Sequence, residues 1–183
     1  RITVNITRNP ASVLDSRAFT RGELQMREDI FALVELLREK YPEFRNCVIA
    51  STAVSAGVRE GRHLAGVYTI TGEELLAGTD FPDSIARNAH PVDIHVPAAG
   101  DQVLEEMPRA GHIPYRTMIS PDLDNLLAAG RILSADDRAH ATIRIQGTAM
   151  ATGQAAGTAA ALCAGGGKTV HVLDVQALRR ILV

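Results

Sequence analysis

A mixed α/β fold, in the form of an α+β fragment, is what this sequence predicts, on three observations. Arg1 to Arg8 alternates, with Ile2, Val4 and Ile6 on one side, as a half-buried strand does. Met26, Ile30, Leu33 and Leu37 recur at helical spacing and mark one face of an amphipathic helix. The stretch Asn125 to Ala164 runs from a short apolar segment through a polar loop into a long uncharged helix of small residues. With 183 residues the chain is long enough for one sizeable core or two small lobes.

Taken in order, the first strand is followed by Thr20 and Glu23 at capping-box spacing, which predicts the start of the amphipathic helix. Tyr41-Pro42 ends it, because the residue before proline is pushed out of the helical region. Cys47 to Val54 reads as a buried strand and Leu64 to Ile70 as the next one. Thr71 and Glu74 repeat the capping-box spacing over the short helix GEELLAG. His90 to His95 reads as a strand on which Asp93 and His95 point the same way. Pro97 to Gly111, polar and rich in proline and glycine, reads as a surface excursion. Ile113 to Ser120 is a further strand, and Leu126 to Ala129 a buried one that stops at Gly130. The helix opening near Gly147 ends at Gly165-Gly166-Gly167, and Asp174 caps a last amphipathic helix bearing Val175, Leu178, Ile181 and Leu182.

Composition removes several function classes. A formal net charge of -2 gives no electrostatic case for nucleic acid or an anionic membrane surface. Cys47 and Cys163 sit in apolar surroundings without metal spacing, the pattern of free thiols in a cytoplasmic protein. The small-residue run approaches membrane length, but alanine, glycine and threonine supply little apolar surface and no aromatic anchors flank it. Gly153 and Gly157 inside this helix cost roughly 0.5–1 kcal/mol each relative to alanine, so they call for a close packing partner. Asp93 and His95 suggest a metal pair only if a third ligand joins them, and none is evident, so no metal site is expected.

NLLAAGR followed by RIQGTAMATGQAAGTAAA resembles the C-terminal flavin-contacting segment of FAD-dependent oxidoreductases. These are relatives of the fumarate reductase and succinate dehydrogenase flavoproteins, within the glutathione-reductase-like superfamily. GVREGRHLAGVYTITGEELLAG, FPDSIARNAHPVDIH and IPYRTMIS extend the resemblance, in order, over most of the chain from about Val48. It implies substrate-lobe strands and helices in residues 1–112 and, in 113–183, the C-terminal strand–loop–helix of a split FAD-binding domain.

The resemblance also implies site residues. Gly130 and Arg131 correspond to the turn that reaches the ribityl chain, where relatives often carry an acid instead of the arginine. Ile145, Gln146, Gly147 and Thr148 correspond to the helix start that lies against the flavin pyrimidine edge. There, unpaired N–H groups and the helix dipole would stabilise negative charge on the reduced ring. His140 and Arg144 resemble the histidine and arginine that face a substrate carboxylate in the fumarate reductase relatives. His95 is a candidate general acid or oxyanion partner. Arg59 and Arg62, in a block that is otherwise a solvated turn, are candidates to hold a carboxylate bidentately.

One expected motif is missing: the sequence holds no GxGxxG fingerprint, and Ala164 to Lys168 follows a helix where that fingerprint would follow a strand. The chain therefore reads as a C-terminal fragment of an FAD-dependent oxidoreductase. Its parent would move a hydride between a small organic substrate and the flavin. Alone the fragment is expected to be inactive and to bind FAD weakly or not at all, the N-terminal FAD-binding segment lying in the same or another chain. A homo-oligomer is compatible with the sequence. The alternatives are a ligand-binding module without redox chemistry, or an accessory subunit whose site is completed by a partner chain.

Overall fold

The computed structural model describes residues 2–96 and 101–182, and the chain divides into two compact units at Gly61 and Arg62. The architecture is mixed: the described residues form five α-helices and two small antiparallel sheets. No helix among the described residues is long and apolar enough to cross a membrane.

The first unit is organised by α1 (Ser16–Lys40). It begins earlier than the Thr20–Glu23 spacing predicts, because Asp15 caps it: Asp15 Oδ1 accepts from the N–H groups of Arg17 at 2.9 Å and Ala18 at 3.1 Å. Thr20 lies inside the helix and donates back to the Ser16 carbonyl at 2.8 Å. The predicted face is in place, with Met26, Ile30, Leu33 and Leu37 half-buried, and the helix stops before Tyr41.

Two predicted strands of this unit are not strands. Ile2 to Arg8 pairs with no strand among the described residues, and Ile2 is 71% exposed. Cys47 to Val54 is likewise irregular and mostly exposed. Alternation reports which face a strand would bury, but a ladder also needs a neighbour to take its backbone groups. Here arginines of α1 take the carbonyls instead. Arg38 Nη2 donates to Cys47 O at 2.6 Å, and Arg27 Nη2 to Val54 O at 3.0 Å and Ala53 O at 3.3 Å.

The second unit holds the rest. Leu64 to Ile70 is extended but not a regular strand; it is tied by single bonds such as Val67 N to Ile119 O at 3.0 Å and an isolated parallel bridge of Ile70 to Ala135. Then comes α2 (Gly72–Ala77), whose capping box is complete: Thr71 accepts from the Glu74 N–H and Glu74 from the Thr71 N–H. β1 (Ser84–Asn88) pairs antiparallel with β4 (Gly111–Pro114), Arg87 opposite His112. β2 (Val92–Val96) pairs with β3 (Asp101–Glu105), Ile94 opposite Val103. The predicted surface excursion therefore contains β3 and the start of β4, while residues 97–100 lie outside the described part.

The strand predicted over Ile113 to Ser120 ends at Pro114 and tightens into a 3-10 turn, Tyr115–Met118. Leu126 to Ala129 makes only one isolated bridge, Leu127 to Ile119. The polar loop predicted after Gly130 contains a helix, α3 (Asp137–Ile143). Asp136 caps it, accepting from Ala139 N at 2.7 Å. The long helix α4 (Gln146–Gly166) ends at Gly167, with φ +60°, and α5 (Val175–Leu182) starts on Asp174, as predicted. Thr148, Thr152, Ala155, Ala159 and Cys163 form the buried stripe of α4. The core around it includes Ile70, Leu75, Ile113, Met118, Leu133, Ile143 and Leu178. The opposite face is open: at Gly153 and Gly157 nothing lies within 4 Å of where a Cβ would sit. No packing partner for the two glycines is found among the described residues.

Candidate functional site

Of the site candidates of the second unit, Gly130, Arg131, His140 and Ile145 to Thr148 lie on α3, on the start of α4 and on the turn before α3. The turn is a 3-10 segment, Gly130–Ile132, and its geometry follows from Gly130. With φ +70° this residue occupies the left-handed region that glycine tolerates. Its N–H donates to Thr152 Oγ1 at 3.0 Å, and that hydroxyl donates on to Thr148 O at 2.8 Å. A Cβ on Gly130 would stand 3.4 Å from Ala149 Cβ, so the turn rests directly on the first turns of α4.

The start of α4 is chemically bare. Ile145 is its N-cap and offers no side-chain acceptor, and no acid stands in the first turn. Gln146 and Gly147 are exposed and Ile145 is half-buried. A Cβ at Gly147 would meet only Ile145 Cδ1, at 3.9 Å. Helix N-termini carry unpaired N–H groups and partial positive charge, and here no side chain of the helix start neutralises either. Thr148 turns inward and donates to Asn88 Oδ1 at 2.8 Å. Asn88 Nδ2 donates to Thr142 Oγ1 at 2.6 Å, and Thr142 donates to the His90 carbonyl. This buried chain of hydrogen bonds locks α3 and α4 onto β1.

His140 is 1% exposed on α3. Its Nε2 lies 3.0 Å from the Arg131 carbonyl, which can only accept, so Nε2 carries the proton of that bond. Its ring stacks on His63, centroids 4.1 Å apart and planes 29° from parallel. His63 Nε2 is buried and has no hydrogen-bond partner among the described residues. Burying a polar atom unpaired costs on the order of 1–3 kcal/mol, so such atoms persist where something else uses them.

The remaining candidates are placed differently. Arg144, mostly buried, donates from Nη2 to Asp93 O at 2.7 Å, with Asp93 Oδ2 at 3.9 Å, and so clamps β2. Arg131 is exposed, as is Arg62 at the start of the second unit. Arg59 is exposed in the first unit. His95 contributes its backbone to β2 opposite Gln102, and its side chain lies outside the described part. Sequence reasoning gave weight to the arginines of the block Gly57 to Arg62 and passed over His63, one residue further on. Its signal was a lone histidine at the head of the extended segment Leu64 to Ile70, and nothing in periodicity separates that from a surface residue.

A second polar cluster surrounds Tyr68. Its hydroxyl donates to Glu74, and that hydrogen bond, with burial second, raises the Tyr68 pKa. The Arg116 guanidinium lies 4.2 Å from the centre of the Tyr68 ring and pairs with Asp83 at 2.7 Å. This cluster braces α2 against the 3-10 turn that follows β4. Cys47 and Cys163 are free thiols.

Compared with known proteins, residues 1–182 match the family model described as FAD dependent oxidoreductase. No curated protein and no solved structure matches the chain.

Proposed function

The chain belongs to the FAD dependent oxidoreductase family, and we propose on that premise that it supplies the pyrimidine-facing edge of a flavin site and the substrate side beside it. The parent enzyme would move a hydride between a small organic substrate and FAD, the group that accepts or gives up the hydride when bound. The observation that carries this reading is the uncapped, acid-free start of α4 with the Gly130 turn fixed against it. The residues present suit the group. Two glycines, Gly130 and Gly147, keep side-chain bulk away from that edge, and backbone N–H groups of the first turn supply donors for the flavin carbonyls.

Ile145, Gln146, Gly147 and Thr148 would hold the ring edge through their backbone, and Gly130 with Arg131 would border the ribityl chain. His140 is held rigid by its bond to Arg131 O and would orient the substrate, with Arg59, Arg62 and His95 as further candidates. Arg144 would act from behind, holding β2 in place. Residues 1–112 would form part of the substrate lobe and 113–183 part of the cofactor lobe. The grip on the ADP half would come from residues outside this sequence, in the same or another chain, since no GxGxxG is present in it.

Titration with FAD, followed by the visible flavin band and by fluorescence quenching, tests the reading. The 183-residue chain is expected to bind FAD weakly or not at all, and a polypeptide that joins it to a dinucleotide-binding segment is expected to hold FAD through purification. A joined polypeptide that stays colourless with FAD in excess contradicts the proposal and favours a ligand-binding module without redox chemistry.

A further inference from the structure

We propose that the segment Ile2 to Arg8 is a pairing edge for a second copy of this chain, the two segments joining antiparallel across a twofold axis. The inference is independent of the flavin reading and lies wholly within the first unit. It begins with how little that unit buries. Among the described residues, every buried apolar side chain is at Ile70 or beyond, and the first unit buries only Gly22. Ile2, Val4 and Ile6 are 71%, 55% and 52% exposed. β-branched side chains left in water at alternate positions form a face that a pairing partner can cover.

The backbone of the segment is open as well. From Ile2 to Ser12 no helix, turn or bend interrupts the chain. No backbone group of Ile2 to Arg8 is hydrogen-bonded among the described residues. Edges of this kind are commonly blunted by a lysine or a proline, and Ile2 to Thr7 contains neither. The segment is nonetheless seated. Val4 to Thr7 share a groove with Met26 and with the Glu23–Arg27 ion pair of α1. Just beyond, the chain lies tight on α1: a Cβ at Gly22 would stand 2.7 Å from Asn9 Oδ1 and 3.0 Å from Ala11 Cβ. A helix behind the edge is what a two-stranded ribbon needs to persist in water.

Register and charge single out a second copy as the occupant. Directly opposed residues of an antiparallel pair point to the same face. With Val4 opposite Val4, Ile2 meets Ile6 and Thr3 meets Asn5, so the apolar positions of both copies line one face. A slip of one residue sets Val4 against Asn5 and breaks that face; a slip of two sets Ile2 against Arg8. The favoured register leaves Arg8 of each copy outside the paired stretch, so no like charges oppose each other. Because both copies use the same segment, the contact is isologous and closes as a dimer.

The experiment is sedimentation velocity of the 183-residue chain over a range of concentrations, with cysteine cross-linking to read the register. A reversible dimer is expected. Val4→Lys brings two ammonium groups face to face at the twofold axis and is expected to raise the dimer dissociation constant about tenfold or more. Val4→Cys is expected to give a disulfide-linked dimer under mild oxidation, beyond what Cys47 and Cys163 give in wild type. Opposed Cα atoms of a strand pair lie about 4.5–5.5 Å apart, within disulfide reach. Ile2→Cys, whose opposite number is Ile6, is expected to cross-link no more than wild type. Both positions are exposed, and circular dichroism checks that each variant keeps the fold. A wild-type chain that stays monomeric overturns the proposal and leaves the edge to a strand of a different protein. A dimer that Val4→Lys leaves unchanged overturns it too.

Discussion

At the scale of single residues, Gly130 carries more of the site than any side chain. Its left-handed backbone lets its N–H reach Thr152 while the chain reverses toward α3. Gly130→Ala places a Cβ in a left-handed conformation that costs L-residues roughly 1–2 kcal/mol, although the Cβ itself would make only ordinary contact with Ala149 at 3.4 Å. Urea denaturation is expected to show a loss of that size; an unchanged midpoint would mean that the turn relaxes freely and does not fix the site. This residue was legible in the sequence, because an apolar run ending in glycine is a turn signal. His63 was not, since its value lies in an unpaired nitrogen and a stacked neighbour 77 positions away, and neither is a property of local pattern. Nor was the contact of Arg144 legible: its guanidinium donates to the Asp93 carbonyl, 51 positions away in the chain.

At the scale of elements, capping chemistry was the most readable signal and unpaired strands the least. The Thr71–Glu74 box and the Asp174 cap stand where the sequence placed them, because each is satisfied within four residues. The Asp136 cap was equally present, but a run of polar residues hid the seven-residue helix behind it. Cys47 to Val54 and Ile2 to Arg8 failed as strands because a ladder depends on a neighbour that local alternation cannot report. Glu74 also gives the fold a pH dependence. Burial works to raise its pKa, but hydrogen bonds from Tyr68 and Thr71 outweigh it, and the carboxyl is held below its ordinary value. A carboxylate depressed on folding contributes stability that is complete above its unfolded value, about 4.3, and is lost as pH falls through the folded value. Thermal melting of wild type is therefore expected to fall below about pH 4.3 more steeply than that of Glu74→Gln. Parallel pH profiles for the two proteins would remove Glu74 from the account.

At the scale of the molecule, the mixed α/β class was legible because helix and strand periods both occur, and the family match over residues 1–182 agrees with the resemblance carried by the small-residue helix. The two units, divided at Gly61 and Arg62, were not legible: no composition shift or linker marks that point. Nor was the open side of α4, since Gly153 and Gly157 imply a close neighbour by residue type, and the described residues provide none. On the proposed reading, the flavin ring edge meets the helix start at Gly147. The most direct test is the reduction potential of the FAD-loaded polypeptide that joins this chain to a dinucleotide-binding segment, compared between wild type and Gly147→Glu. A carboxylate there opposes the helix dipole and the charge of the reduced ring, so the potential is expected to fall while FAD stays bound. A variant that binds FAD and keeps the wild-type potential would contradict the placement of the flavin at α4.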